Sequence, residues 1–407
     1  MRKKTAIGID LGTDSIKIVA LESVAGEAVP RVLGAGVAPS RGMRKGAVIE
    51  PEELALAIRE AKDALEKSTG IKNVRANVAL GGAGLSFQKT KGLVAVSRAD
   101  GEITREDIKR AGIASEMALS RLQNKEIIHR IPLAYKVDGE EPVNDPTGLT
   151  GNKLEAETLF ITVFSPNIKN AITALEEAGV EIEEIIASPL AAASVALGRR
   201  EKEIGAMALD LGASTTSLIL FEYGLPYSLD ILPFGFQNIT QDIAVGLKID
   251  LDESEKLKIN YGAVGSEAEN FSKKTSKNSV GVEDFVYGHY SRKKLSEIIE
   301  ARLSDIFELV EKHLKKVERA RLLAAGAVIV GGGANLLGIE SFTKDALDLP
   351  ARVAEPENLG GFKDKIKNPA WSVAVGAALM ALEKEASPSI FHPSSNPFMR
   401  WLRAFLP

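Results

Sequence analysis

The sequence predicts an α/β fold built as two duplicated lobes, with an α+β subdomain inserted into the first. Three observations lead there. TAIGID (5–10) and SIKIVALE (15–22) are β-rich runs joined by a polar, glycine-containing LGTD turn, and GAMALDLGASTTSLILFE (205–222) repeats that strand-DLG-strand grammar. Such a divergent internal repeat implies duplication of a supersecondary unit. Between the copies, a β-β-β-α-β opening gives way at about 85–165 to a different texture, then resumes with alternating helices and strands.

In chain order, EPEELALAIREAKDALEKSTG (50–70) reads as a helix with an acidic first turn and a glycine stop, and NVRANVALGG (73–82) as a strand. The inserted segment contains a strand, a helix beginning at ITREDIKRAG, and two long β-rich runs, EIIHRIPLAYKV and LEAETLFITVF, separated by a Pro/Gly/Asn loop at 138–152. NIKNAITALEEAGVEIEEIIASPLAAASVAL then supplies helix, strand and helix. After the second DLG hairpin come a third strand, YSLDILPFG, and helical segments over about 236–325 with a polar loop FSKKTSKNS (271–278). GAVIVGGGANLLGI reads as strand, glycine turn and helix, and NPAWSVAVGAALMALEKE (368–385) as the last folded helix. The expected divisions are 1–84 (first lobe, phosphate-binding part), 85–165 (insertion) and 166–198 (first lobe resumed). They continue with 199–237 (second lobe), 238–312 (its smaller helical part), 313–385 (second lobe resumed), 386–396 (linker) and 397–407 (terminal helix).

The composition narrows the function. A chain of 407 residues with 45% hydrophobic and 26% charged residues can bury more than one core. The net charge of −4 argues against general nucleic-acid binding, which needs a basic face, so any anion site must be local. There are no cysteines, which excludes disulfides and thiolate chemistry, and the histidines at 129, 289, 313 and 392 lack ligand spacing. Asp10, Asp14 and Lys17 interrupt the apolar run that a secretory signal would need, and no stretch reaches the roughly 18 apolar residues of a spanning helix. The expectation is a cytoplasmic protein.

Each DLG places a carboxylate at the carboxyl end of a buried strand, followed by glycine and hydroxyl residues that can aim backbone N–H groups at an anion. Two such turns would clamp a polyphosphate, one through Gly12, Thr13, Asp14 and Ser15, the other through Gly212, Ala213, Ser214 and Thr215. Asp10 and Asp210 should stay off the phosphates and hold water molecules of a Mg²⁺ ion, which keeps much of its hydration shell. Gly331, Gly332 and Gly333 leave backbone bare for a flat nucleoside, and Asn335 just after them is expected among the cofactor-binding residues. Singly, a D-L-G is usually a plain hairpin and GGG a flexible turn; Walker-type and dinucleotide glycine motifs are absent.

Their order, turn, insertion, second turn, VIVGGGAN, small-residue helix, resembles the nucleotide site of the actin and heat-shock chaperone superfamily. Within it the chain is similar to the FtsA family of bacterial actin-like cell-division proteins, over nearly its whole length. The likeness rests on GIDLGTDSIK, KGAVIE (45–50), DPTGLTGNKLEAE (145–157), ALDLGAST (208–215), ESEKLKINYG (253–262) and GAVIVGGGANLLGIE (326–340), with a basic-aromatic tail. The resemblance implies an actin-like ATPase fold, ATP as cofactor, and Glu255 and Lys258 at the ribose and adenine. It further implies self-association into filaments, binding of the C-terminal peptide of FtsZ, contact of the insertion with other divisome proteins, and a place at the division site on the inner face of the membrane. Two departures point to slow hydrolysis: Ser188 and Ser217 stand where related ATPases carry groups that orient the attacking water, and serine is a poor base unaided. Alternatives in the same superfamily are a pilus-assembly ATPase, which would not need the tail, and a sugar or acyl-phosphate kinase, for which the insertion lacks clustered carboxylates. A peptide-binding chaperone would need a further β-sandwich.

In NPFMRWLRAFLP (396–407), a helix starting at Pro397 would align Phe398, Trp401, Leu402 and Phe405 on one face, with Arg400 and Arg403 on its flank. Aromatics suit the headgroup boundary and arginines an anionic lipid surface, so the expected role is an interfacial anchor. The other reading is a helix docked back on the folded body.

Overall fold

The computed structural model describes residues 3–120, 122–265, 267–268, 285–286 and 290–383. The expected membrane residues Phe398, Arg400, Trp401, Leu402, Arg403 and Phe405, the linker and the 271–278 loop lie outside the described residues. Two compact units emerge: one holds the chain up to Ser86 and Val163–Met380, the other Phe87–Thr162 together with the described residues from Ala381 on.

The first unit opens with an antiparallel meander, β1 (Lys3–Leu11), β2 (Ser15–Val24) and β3 (Arg31–Pro39), and a small hairpin, β4 (Met43–Arg44) with β5 (Ala47–Val48). Helix α1 (Pro51–Thr69) starts on Pro51, whose missing N–H costs nothing there, with Glu52 and Glu53 in the first turn. Its Leu54, Ile58, Ala61 and Leu65 recur at helical spacing and are buried. The Gly70 N–H donates to Glu66 O at 2.7 Å and closes the helix. β6 (Val74–Leu80) lies parallel to β1.

The second unit comprises β7 (Leu85–Ala95), α2 (Arg105–Met117), β8 (Lys125–Val137) and β9 (Lys153–Phe164), with strand order β7-β9-β8. Ile103, Ile108, Ala111, Tyr135, Leu154 and Ala156 form its core. Asp107 caps α2, accepting from Thr104 N–H (2.9 Å), Thr104 Oγ1 (2.6 Å) and Ser97 N–H (3.0 Å), and pairs with Arg110. Burial opposes its charge, but the Thr104 and Arg110 bonds outweigh it and hold the carboxyl well below the usual range.

The first unit resumes with α3 (Ser165–Glu177), β10 (Val180–Ala187), α4 (Ser188–Ala196) and α5 (Arg199–Ile204). Then come β11 (Ala206–Leu211), β12 (Thr216–Glu222), β13 (Leu225–Leu232), α6 (Phe236–Leu247), α7 (Leu251–Tyr261), β14 (Phe285–Val286), β15 (Tyr290–Ser291) and α8 (Arg292–Lys316). The described chain finishes with β16 (Ala327–Val330), α9 (Ile339–Leu347), β17 (Ala351–Val353), β18 (Gly360–Gly361) and α10 (Ser372–Glu383). Two sheets result, ordered β10-β6-β1-β2-β3-β18 and β13-β12-β11-β16-β17.

The duplication extends to register. In the first hairpin Asp10 faces Lys17 and Leu11 faces Ile16; in the second Asp210 faces Ser217 and Leu211 faces Thr216. β1 lies between antiparallel β2 and parallel β6, as β11 lies between antiparallel β12 and parallel β16. A Cβ added to Gly12 would stand 2.7 Å from Ser15 O, and one on Gly212 2.8 Å from Thr215 O, so both turns close on themselves the same way.

Helix α10 packs on the first sheet through close backbone approach: a Cβ on Gly8 would stand 2.1 Å from Ala374 O. It starts at Ser372 rather than at 368. Pro369–Trp371 forms a tight 3₁₀ turn, because Asn368 Oδ1 accepts from Ala370 N–H at 2.9 Å and stops the α-helix from extending backwards. Among the described residues no helix is long and apolar enough to cross a membrane.

Candidate functional site

Asp10 and Asp210 are the penultimate residues of interior strands β1 and β11, and the turns after them open onto one cavity of about 1260 Å³. The wall of this cavity includes every predicted site residue within the described chain. Gly12, Thr13, Asp14 and Ser15 contribute from the first turn, and Gly212, Ala213, Ser214 and Thr215 from the second. Gly331, Gly332, Gly333 and Asn335 line it after β16, Glu255 and Lys258 from α7, and Ser188 and Ser217 beside the carboxylates.

The two aspartates set the electrostatics. Burial pushes the Asp10 carboxyl above its ordinary value, opposed by Lys17. Asp210 is pushed up to about 7, first by burial and then by the nearby Asp10 charge, again opposed by Lys17. Lys17 Nζ stands 3.8 Å from Asp10 Oδ2 and donates to Ser15 Oγ at 2.9 Å. Two buried carboxylates that resist ionising together are a donor set suited to a hydrated dication, which would let both carry charge. Among the described residues no cluster of three or more His, Asp or Glu could hold a metal ion alone.

The turns are braced from outside. Thr13 Oγ1 accepts from Gly46 N–H at 3.1 Å, tying the first turn to the β4-β5 hairpin. Val48 N–H of that hairpin donates to Asn167 Oδ1 of α3 at 2.8 Å. In the second turn Ser214 Oγ donates to Gln237 Oε1 at 2.7 Å, and Phe236 N–H donates to Gly212 O at 3.0 Å.

The three glycines differ in what they exclude. Gly331 has φ 86°, left-handed backbone that disfavours any L side chain, and its Cβ would stand 2.2 Å from Asp210 Oδ1. A Cβ on Gly333 would stand 2.3 Å from the Phe236 ring, whereas one on Gly332 would meet nothing within 4 Å. Of the three, only Gly332 has open space where a side chain would stand.

On α7, Glu255 and Lys258 share a face. Lys258 Nζ donates to Phe236 O (3.1 Å), Thr240 Oγ1 (2.8 Å) and Glu255 Oε2 (2.7 Å), so its ammonium protons are used within the protein. The Glu255 side chain, 41% exposed, is the member left to meet a ligand. Ser188 opens α4 with Gly81 close against its Oγ, and Ser217 lies opposite Asp210 in the hairpin.

Sequence reasoning missed Lys17 as a site residue, together with the β4-β5 hairpin, Gln237, Asn368 and Trp371, all at or behind the cavity wall. Lys17 had a signal: it stands seven residues after Asp10, as Ser217 does after Asp210. The others come from distant segments with no local pattern.

Comparison with known proteins agrees with this architecture. Residues 207–376 match the family model described as Cell division protein FtsA, and residues 82–162 match that of the SHS2 domain inserted in FTSA. The chain is 31% identical to the Cell division protein FtsA of Bacillus subtilis (strain 168), over 91% of this chain and 82% of that protein. In structure it is similar to a chain of the PilM-PilN type IV pilus biogenesis complex, with TM-score 0.68 and 18% identity over 93% of this chain and 98% of that one. It is also similar to MreB5 of Spiroplasma citri bound to ADP, with TM-score 0.53 and 14% identity over 94% and 98%.

Proposed function

The chain belongs to the FtsA family of actin-like cell division proteins, and from that premise we propose that it binds ATP with Mg²⁺ between its two DLG turns, polymerises, and tethers a ring of FtsZ to the inner face of the cytoplasmic membrane. The observation that carries the nucleotide reading is the single cavity joining both turns, the glycine turn and Glu255. Backbone N–H groups of the turns take the phosphates, Gly332 lies against the nucleoside, and Glu255 accepts from the ribose hydroxyls. Asp10 and Asp210 would hold a hydrated Mg²⁺ through its water molecules, and the ion would supply positive charge against the phosphates. Lys17 adds a fixed cation on the first side.

Hydrolysis is slow in this reading. Ser188 and Ser217 hold the positions beside the carboxylates, and general-base help typically contributes about 10² to 10⁴ in rate. Slow turnover suits a filament whose nucleotide state persists.

The insertion serves contacts with other divisome proteins and between copies, and the smaller helical part of the second lobe, about 238–312, receives the FtsZ C-terminal peptide. The tail at 397–407 attaches the polymer to anionic lipid, many tails acting together because one short helix binds weakly. Sedimentation with Mg·ATP, with and without anionic liposomes, tests the whole reading. The full chain pellets with liposomes and a chain ending at residue 390 does not; a truncated chain that still pellets with lipid removes the anchor role, and a full chain that shows no ATP-dependent pelleting removes the polymer.

A further inference from the structure

The glycine turn is held by something the motif does not contain. Asn335 Nδ2 donates to Gly332 O at 3.0 Å and to Asn368 Oδ1 at 3.1 Å, while Asn368 Nδ2 donates back to Asn335 Oδ1 at 3.1 Å. Asn368 Oδ1 also accepts from Ala370 N–H at 2.9 Å, and Gly331 N–H donates to Pro369 O at 3.1 Å. A reciprocal amide pair and one backbone bond thus fasten the turn after β16 to the turn that starts α10.

The far end of this fastening lies on the other sheet. Helix α10 approaches β1 so closely at Gly8 that no side chain fits, Asn77 Nδ2 of β6 donates to Ala377 O at 3.3 Å, and Gly376 packs on Ala191 of α4. α10 is therefore seated on the strand that carries Asp10, while its first turn grips the glycines beside Asp210. Both amide hydrogens of Asn335 are used in this arrangement, and its oxygen is occupied.

We propose that Asn335 and Asn368 are positioning residues: their amide pair sets the height of the Gly331–Gly333 turn against the nucleoside, acting through Gly332 rather than touching nucleotide. This rests on the ATP reading above. The pair lies at the cavity edge, where each amide could instead bond water, so losing it would leave the fold intact and let the glycine turn drift.

The test is a double-mutant cycle on the full chain, with Mg·ATP affinity measured by titration calorimetry. Asn335→Ala and Asn368→Ala should each weaken binding by about fivefold to tenfold, the worth of a lost hydrogen-bonded pair, and the double variant should be no weaker than the weaker single one. The apo melting temperature of Asn335→Ala should stay near wild type, and Asn368→Ala should lose at most the few degrees that its cap on Ala370 N–H supplies. Asn335→Ala leaves the Asn368 cap on Ala370 N–H in place, so its loss of affinity reads the amide pair and not the cap; Asn368→Asp, which keeps the acceptor for both Ala370 N–H and Asn335 Nδ2, should recover part of the Asn368→Ala loss. Unchanged affinity in Asn368→Ala overturns the proposal, and so do losses that multiply in the double variant, which would make Asn335 a direct ligand contact. A wild-type chain that binds no ATP would instead remove the premise.

Discussion

Replacing Gly332 by valine separates a ligand effect from a folding effect, because the three glycines of the turn are not equivalent. An added Cβ at Gly332 meets no protein atom within 4 Å, so the free protein has room for the side chain and its stability should move by no more than about 0.5 kcal/mol. A nucleoside lying on that backbone has no such room. Forcing extra methyl groups into a packed contact costs roughly 1–3 kcal/mol, which converts to about 5- to 150-fold weaker binding. Gly333→Val is the opposite case: its Cβ would press on the Phe236 ring at 2.3 Å, so that variant should lose stability, by a few degrees of melting temperature for each kcal/mol. Affinity for Mg·ATP is read from quenching of Trp371, which lines the cavity, in a Trp401→Phe background that removes the chain's other tryptophan. Binding by Gly332→Val within twofold of wild type, at an unchanged melting temperature, would refute the placement of the nucleoside.

Four further outcomes are expected. Lys258→Met strips a buried ammonium from Phe236 O, Thr240 and Glu255; removing it should cost about 1–3 kcal/mol of stability and weaken ATP through a displaced Glu255, as thermal melts and calorimetry will show. Joining residue 84 to 166 should preserve ATP affinity and impair pelleting, since Phe164 N–H already donates to Gly84 O at 3.1 Å and the crossing segments leave and return side by side; lost affinity would make the insertion part of the site. Asp107→Ala should destabilise the insertion by roughly 1.5–3 kcal/mol. Because the Asp107 carboxyl is held well below its ordinary value, its contribution is full above about pH 3.9 and is lost only as pH falls on through the lowered folded value, so the gap between acid melts of wild type and variant should narrow only well below about pH 3.9. Trp401→Glu should keep ATP binding and abolish co-sedimentation with anionic vesicles; undiminished lipid binding would return the tail to the folded body.

The fold was legible because its information is local and repeated. A strand that ends in Asp-Leu-Gly and turns into a second strand is ambiguous once, but two copies with the same offset between carboxylate and facing residue describe one unit used twice. α1 was legible for similar reasons: an acidic start on Pro51, buried residues at helical spacing and Gly70 as stop all agree. The β4-β5 hairpin was not, since two strands of two residues each have no periodicity to read. Its importance lies in contacts over long separations, from Gly46 to Thr13 and from Val48 to Asn167.

The site shows where local reading stops. The glycine motif announces bare backbone, yet only geometry distinguishes Gly331 and Gly333, which the protein itself requires, from Gly332, which it does not. Glu255 and Lys258 are spaced for one helix face, but Thr240 and Phe236 decide that the lysine is spent inside the protein while the glutamate remains available. The duplicated hairpin carries the most instructive difference. At the position facing the aspartate the first copy has Lys17 and the second has Ser217, so the pair of buried carboxylates is served by one lysine. Lys17 stands 3.8 Å from Asp10, while burial and the Asp10 charge still push the Asp210 carboxyl up to about 7, so one lysine does not let both carboxylates ionise together; under the proposed reading a hydrated dication would supply the charge that a second lysine would otherwise have given.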